Sequence, residues 1–220
     1  VLADLPSVDA IICCGDLVGY YPEPDLVVDR IRELGVPCVR GNHELMVVGA
    51  VEADPEQRPR YRIDWTRERL GPDRIRWLRA LPRSMELSWD GLAIQVRHAS
   101  PWDETTYLYP DSPRLEEIRL AEHEWLVVGH THYPLHRRCG SGFLVNPGSV
   151  GQPRDWDPRA AYGLLDTRTG RWRQRRVPYD HAAYQRRLAA MDWHPQTIAL
   201  LGRTRGAAEP RKNPSTPTVK

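Results

Sequence analysis

Ala10-Ile11-Ile12-Cys13-Cys14-Gly15-Asp16 is the stretch from which the fold is read. Five apolar, partly β-branched residues stop at a glycine and a carboxylate. That is the pattern of a buried strand delivering Asp16 at its C-terminal end. From Pro24 to Leu34, Val27, Ile31 and Leu34 recur at i, i+4 and i+7. An opening proline and the closing Gly35 make this an amphipathic helix. Val36-Pro37-Cys38-Val39 is a second short strand, and it runs into Arg40-Gly41-Asn42-His43-Glu44. Strand, helix and strand, with polar residues at both strand tips, point to an α/β sheet that places its ligands at those tips.

The same reading extends down the chain. Asp64 to Leu70 and Pro72 to Leu81 are helical, with Ile75, Leu78 and Leu81 on one face. Leu92 to Arg97 is a strand ending at His98. Ser112-Pro113 opens a helix expected to reach about Glu122, with Leu115 and Ile118 inward. Trp125 to Val128 is an apolar strand ending at Gly129-His130-Thr131-His132, and Phe143-Leu144-Val145 precedes Asn146-Pro147-Gly148-Ser149. Ala161 to Leu165 and Arg171 to Val177 flank a turn and read as a hairpin. A last helix covers Asp180 to Met191. One domain therefore spans residues 1–202. Residues 203–220 hold five cations, one anion and three prolines. They cannot build a core, and a disordered basic tail is expected there.

Composition narrows the classes. Of 220 residues, 40% are hydrophobic and 27% charged, which suits a globular protein. No apolar run is long enough to span a membrane. A net charge of +2 argues against general nucleic-acid binding. Cys13, Cys14, Cys38 and Cys139 show no CxxC spacing, so neither a disulfide framework nor a structural zinc site is expected. A reducing, cytoplasmic setting fits them. Cys13 and Cys14 point to opposite faces of their strand, and Cys14 and Cys38 read as small core residues.

The chemistry collects at the strand tips: Gly15-Asp16, Gly41-Asn42-His43-Glu44, His98 and Gly129-His130-Thr131-His132. A carboxylate, an amide oxygen and several imidazoles form a mixed oxygen and nitrogen donor set. It suits Mn, Fe, Zn or Co better than Mg or Ca. Two such ions sharing a carboxylate would acidify a water and clamp a phosphoryl group. His123, His136, His181 and His194 have charged or polar neighbours and no partner at ligand spacing, so they read as solvent-exposed or locally hydrogen-bonded. Trp65, Trp77, Trp89 and Tyr107 read as core or rim.

Gly-Asp, Gly-Asn-His-Glu, His-Ala-Ser-Pro, Gly-His-Thr-His and Asn-Pro-Gly-Ser, in that order, resemble the calcineurin-like metallophosphoesterase family, in its compact bacterial and archaeal branch. The resemblance spans about residues 10 to 180. It implies a two-sheet sandwich flanked by helices, with a dinuclear metal site at the strand tips. It implies that Asp16 bridges two divalent metals, that Asn42, His98 and His130 complete one of them, and that His132 binds the other. It makes His43 the general acid for the leaving group, with Glu44 as its orienting partner. Arg40 and Arg154 lie within two residues of the tip loops, and either is a candidate to grip a phosphate oxygen.

Two departures from the family pattern stand out. Ala99 follows His98 where the family usually has glycine. No Asp-x-His precedes Asp16, so the first strand and most of the first helix are expected to be absent from this chain, and the chain as it stands to be nearly inactive. The implied function is hydrolysis of phosphate esters of small molecules by a metal-activated water, as a general phosphatase or phosphodiesterase. A phosphoprotein phosphatase is the alternative, since Arg40 to Glu44 matches those enzymes. Leu17-Val18-Gly19-Tyr20, however, lacks their phosphate-gripping arginine. A degenerate, non-enzymatic binding protein is the competing class, although the candidate ligands are retained.

Overall fold

Leu92, Ile94 and Val96 alternate with more exposed residues along β2 (Leu92–Arg97). They commit one face of that strand to a core. β2 is the second strand of a hairpin begun by β1 (Ser84–Trp89) and turned at Asp90-Gly91, both with positive φ. That is the turn whose twist matches antiparallel strands. β3 (Glu124–Val127), β4 (Leu135–Cys139) and β5 (Gly142–Asn146) complete a five-stranded sheet of order β1-β2-β3-β5-β4. The outer pairs are antiparallel, while β2, β3 and β5 run parallel. β6 (Ala160–Asp166) and β7 (Arg171–Val177) form a separate antiparallel hairpin. The computed structural model describes residues 1–204 of the chain. Of the expected tail, residues 205–220 lie outside that range.

Four apolar cores result, the smallest being Leu188, Trp193 and Leu201 with Trp65 and Tyr184. Val39, Ile94, Val96, Trp125, Val127 and Val145 fill one face of the large sheet, joined by Leu165 and Trp172 of the hairpin. Leu126, Val128 and Leu144 fill the other face beneath the 105–120 segment, with Leu108, Leu115, Ile118 and Leu120. The third core holds Val28, Cys38, Met46, Leu70 and Leu78. They come from α1 (Pro24–Glu33), α2 (Asn42–Val47), α4 (Ile63–Ala80) and the Cys38 segment. α3 (Arg58–Tyr61) leads into α4, and α5 (His181–Ala190) and α6 (Pro195–Leu201) close the described chain. Two sheets flanked by helices is the expected architecture. Among the described residues no helix is long and apolar enough to cross a membrane.

The structure corrects several local expectations. Ala10 to Cys14 forms one parallel bridge, Cys13 to Cys38, rather than a full strand. The segment is apolar on both faces because Ile11 and Cys13 pack on the helical core while Ile12 and Cys14 pack on the sheet core. Cys38 is buried as expected, whereas Cys14 is half-buried. The helix from Pro113 shrinks to a 3-10 turn, Pro113–Glu117. Leu120 then bridges to Gly140, since buried Ile118 and Leu120 sit two apart, which is strand spacing. The two helices expected between Asp64 and Leu81 are continuous in α4 except for a break at Gly71.

On β6, Gly163 leaves room for the ring of Trp172, which reaches across the hairpin; a Cβ at position 163 would collide with that ring. Gly163→Val should therefore lower stability by about 1–3 kcal/mol, the usual cost of overpacking. A urea denaturation midpoint unchanged from the parent would show that Trp172 can swing aside freely.

Candidate metal centre

Parallel pairing sets two of the site's imidazoles side by side. Val96 of β2 lies opposite Val127 of β3. The ladder continues past both strands with the Gly129 N–H donating to the His98 carbonyl at 2.7 Å. Beyond that rung the chain turns sharply, and His130 and His132 both take left-handed backbone, with φ of 62° and 60°. Such conformations cost non-glycine residues of order 1–3 kcal/mol and persist only where surroundings enforce them. Here the enforcer is Asn146, fully buried at the tip of β5. Its side-chain amide donates to the Gly129 carbonyl (2.6 Å) and the Thr131 hydroxyl (3.0 Å). The Asn146-Pro147-Gly148-Ser149 motif thus braces the Gly129–His132 turn.

The other two tips are joined by a single carboxylate. Glu44, 1% exposed, accepts from the backbone N–H groups of Gly41 (2.6 Å), Asp16 (2.8 Å), Leu17 (2.8 Å) and Val18 (3.3 Å). Burial pushes its pKa up to about 7, and the Asp16 charge adds to that, against the pull of the Gly41 amide. Asp16 also has left-handed backbone (φ 56°), and its Oδ1 accepts the His43 N–H at 3.1 Å. A Cβ at position 41 would strike Asp16 Oδ1 and crowd the His98 ring, so only glycine lets the loops approach this closely.

Four donors meet where the tips converge. His98 Nε2 lies 3.0 Å from Asn42 Oδ1, 3.1 Å from His130 Nδ1 and 3.3 Å from Asp16 Oδ2. Each ring is aimed by its other nitrogen. His98 Nδ1 donates to the Cys14 carbonyl (2.7 Å) and His130 Nε2 to the Thr105 carbonyl (3.1 Å). Those carbonyls fix the tautomers, leaving bare lone pairs on His98 Nε2 and His130 Nδ1. Lone pairs of two imidazoles, an amide and a carboxylate at such distances repel unless a cation sits among them. Without a metal the Asp16 charge draws a proton instead: burial opposes charge on His98, but Asp16 overrides it and pushes the pKa up to about 9, so a proton and a metal ion compete for the same place. Burial, reinforced by His98, drives His130 down to about 3. Burial also opposes ionisation of Asp16, yet His98 and His43 hold it well below the carboxylate range. The donor set fits a divalent ion.

His132 lines the same cleft but stands outside this tight group. Its Nδ1 donates to the Gln152 carbonyl at 2.7 Å, leaving Nε2 bare. Burial, followed by the charge of Arg154, holds its pKa well below the usual imidazole range. His43 also edges the cleft, and burial takes it down to about 4.

The expected contact between Glu44 and His43 is not formed, because Glu44 is consumed by backbone amides. His43 Nδ1 is buried without a partner among the described residues, and the rings of Tyr20 (4.7 Å) and Tyr61 (4.8 Å) hold the imidazole instead. The two arginines part company. Arg40 turns to Glu104 at 3.3 Å, while Arg154 lines the cleft. Tyr107, expected at core or rim, lies at the rim and packs against His130, with ring centroids 4.1 Å apart and planes tilted by 37°. Tyr20, Tyr61 and Gln152 are site residues that motif reading missed. Tyr20 had a signal, four residues past Asp16 in the same loop; Tyr61 had none.

Glu44→Gln keeps the shape but points an NH2 group at backbone N–H groups, with a loss of about 1–3 kcal/mol for each amide left unpaired. Thermal or denaturant unfolding reads this directly, and an unchanged midpoint would mean that Glu44 does not hold the loops together.

The calcineurin-like phosphoesterase superfamily domain matches residues 1–170. The uncharacterized protein MJ0912 of Methanocaldococcus jannaschii is 31% identical over 203 residues, covering 82% of this chain and 81% of that protein. A metallophosphoesterase structure from Sphaerobacter thermophilus has a TM-score of 0.77 at 29% identity, covering 92% of this chain and 91% of its own. Escherichia coli phosphodiesterase YfcE is 47% identical over a 47-residue segment, 21% of this chain and 25% of YfcE. Fold, strand-tip motifs and relatives agree: the chain belongs to the calcineurin-like phosphoesterase superfamily.

Proposed function

We propose that the reaction this site serves is hydrolysis of phosphate esters of small molecules with two divalent metals, Mn, Fe, Zn or Co, in a cytoplasmic setting that suits the chain's four free cysteines. The observation carrying this reading is the convergence of four lone-pair donors on one point from four strand tips. Asp16, Asn42, His98 and His130 would hold one ion, and His132 with a shared Asp16 would contribute to the second. Divalent ions at these positions supply charge that polarises a phosphoryl oxygen and acidifies a water.

The remaining residues handle the substrate. Arg154 forms no ion pair among the described residues: its guanidinium donates to the neutral Gln152 Oε1 (3.0 and 2.6 Å) and Tyr20 hydroxyl (2.9 Å). Those bonds use Nε and Nη2, and the Nη1 donors that remain suit an oxygen of a phosphoryl anion in the cleft that Arg154 lines. Arg40, already matched by Glu104, is not the better candidate. His43 is the general acid that protonates the leaving oxygen. Its partner is not Glu44; the arriving phosphoryl charge favours the imidazolium that burial alone disfavours. Leu17-Val18-Gly19-Tyr20 offers no arginine to grip a phosphoprotein's phosphate, which favours small-molecule esters as substrates. No membrane or nucleic-acid partner is part of this reading.

His98→Ala should abolish both metal retention, read by calorimetric titration with Mn, and hydrolysis of p-nitrophenyl phosphate. Full hydrolysis by that variant would exclude the site. In the enzyme with both metals held, His43→Ala should retain metal and lose about 10²–10⁴-fold in turnover of alkyl phosphates, the usual contribution of acid–base help. The loss should be much smaller for nitrophenyl esters, whose leaving group needs no proton. Equal losses for both would remove His43 from that role.

A further inference from the structure

Tyr20 occupies an unusual position. It has left-handed backbone (φ 65°) and is 7% exposed. Its backbone is fixed on both sides: its N–H donates to the Tyr61 carbonyl at 3.2 Å, and its carbonyl accepts the indole N–H of Trp193. Trp193 is itself buried beside Trp65, in the core that α5 and α6 share with Tyr21. The side chain thus has little freedom, and it touches two groups assigned different tasks. Its ring lies 4.7 Å from the His43 ring, and its hydroxyl accepts from Arg154 Nη2 at 2.9 Å. The Arg154 guanidinium carbon sits 5.6 Å from the Tyr20 ring centroid.

Arg154 alone would be a poor anchor, since a long guanidinium side chain sweeps many rotamers. Gln152 and Tyr20 together take up the Nε and Nη2 donors, which fixes the plane of the fork. Gln152 is braced in turn, its Nε2 donating to the Tyr21 hydroxyl at 3.1 Å. The 19–21 loop thereby clamps the arginine from two sides.

We propose that Tyr20 is a positioning residue: its hydroxyl holds Arg154, and its ring holds His43, at a set separation across the phosphoryl group. The proposal rests on the roles of Arg154 and His43 given above. The hydroxyl and the ring do separate jobs, so two substitutions divide them. Tyr20→Phe removes only the hydroxyl; Tyr20→Leu removes the ring as well.

The test uses the full chain loaded with Mn, with inorganic phosphate binding read by calorimetry and p-nitrophenyl phosphate and alkyl phosphate hydrolysis read as KM and kcat. Tyr20→Phe should weaken phosphate binding and raise KM about tenfold, the scale of one good hydrogen bond to a charged group. Its kcat should stay within about threefold. Tyr20→Leu should add a fall in kcat for alkyl phosphates larger than that for nitrophenyl esters. Arg154→Ala should weaken phosphate binding at least as much as Tyr20→Phe. The double variant Tyr20→Phe with Arg154→Ala should be no worse than Arg154→Ala alone, because the hydroxyl then has nothing to hold. If Arg154→Ala leaves phosphate binding unchanged, the reading of Arg154 fails and takes the proposal with it. If Arg154→Ala weakens binding while Tyr20→Phe does not, or if the two losses add in full, Tyr20 does not position Arg154 and the proposal alone is overturned. A Tyr20→Phe variant that loses kcat with unaltered KM, in step with a lowered unfolding temperature, also overturns it.

Discussion

The buried carboxylate of Glu44 is the constraint on which the site depends. It is acceptor-only when ionised and is met by four backbone N–H groups from two loops, those after Cys14 and after Arg40. Asp16 and Asn42 ride on those loops. A carboxylate at the third position of a helix reaching back to the N-cap amide is a familiar capping device. In α2 the same carboxylate also collects three amides from a loop 26 to 28 residues earlier. Local helix capping becomes a tertiary staple, and the distance between two candidate ligands follows from it.

The opposite half of the site is set by sheet geometry. Parallel strands β2 and β3 end at neighbouring rungs, so His98 and the Gly129–His132 turn emerge together. Asn146 at the tip of neighbouring β5 holds that turn. Backbone carbonyls of Cys14, Thr105 and Gln152 aim His98, His130 and His132 respectively. Strained backbone at Asp16, Tyr20, His130 and His132 collects around one cleft, and the surrounding hydrogen bonds hold it in place.

Strand tips were legible in the sequence because each combines an apolar run with a following glycine or polar residue, and both signals are local. The placing of Asp16, Asn42, His98 and His130 at one point follows from those tips plus the order of the motifs. What escaped has physical reasons. β1 (Ser84–Trp89) and β4 (Leu135–Cys139) mix polar and apolar residues because they are outer strands, with little of the buried run that marks β3 and β5. The turn after Pro113 looked helical because Leu115 and Ile118 sit three apart, yet Leu120 is drawn out to pair beside Gly140. Glu44 was assigned to His43 by family pattern; its real partners are backbone amides, which no side-chain spacing reveals. Tyr61 enters the cleft from α3, over forty residues from Asp16, and only tertiary packing brings it there.

The central claim is that Asp16, Asn42, His98 and His130 surround one divalent ion. Anomalous diffraction from crystals grown with Mn tests it most directly. The account requires a strong peak roughly 2.0–2.2 Å from Asp16 Oδ2, Asn42 Oδ1, His98 Nε2 and His130 Nδ1 together. A strong peak elsewhere on the chain, with these four atoms still packed against one another and no density among them, would contradict it.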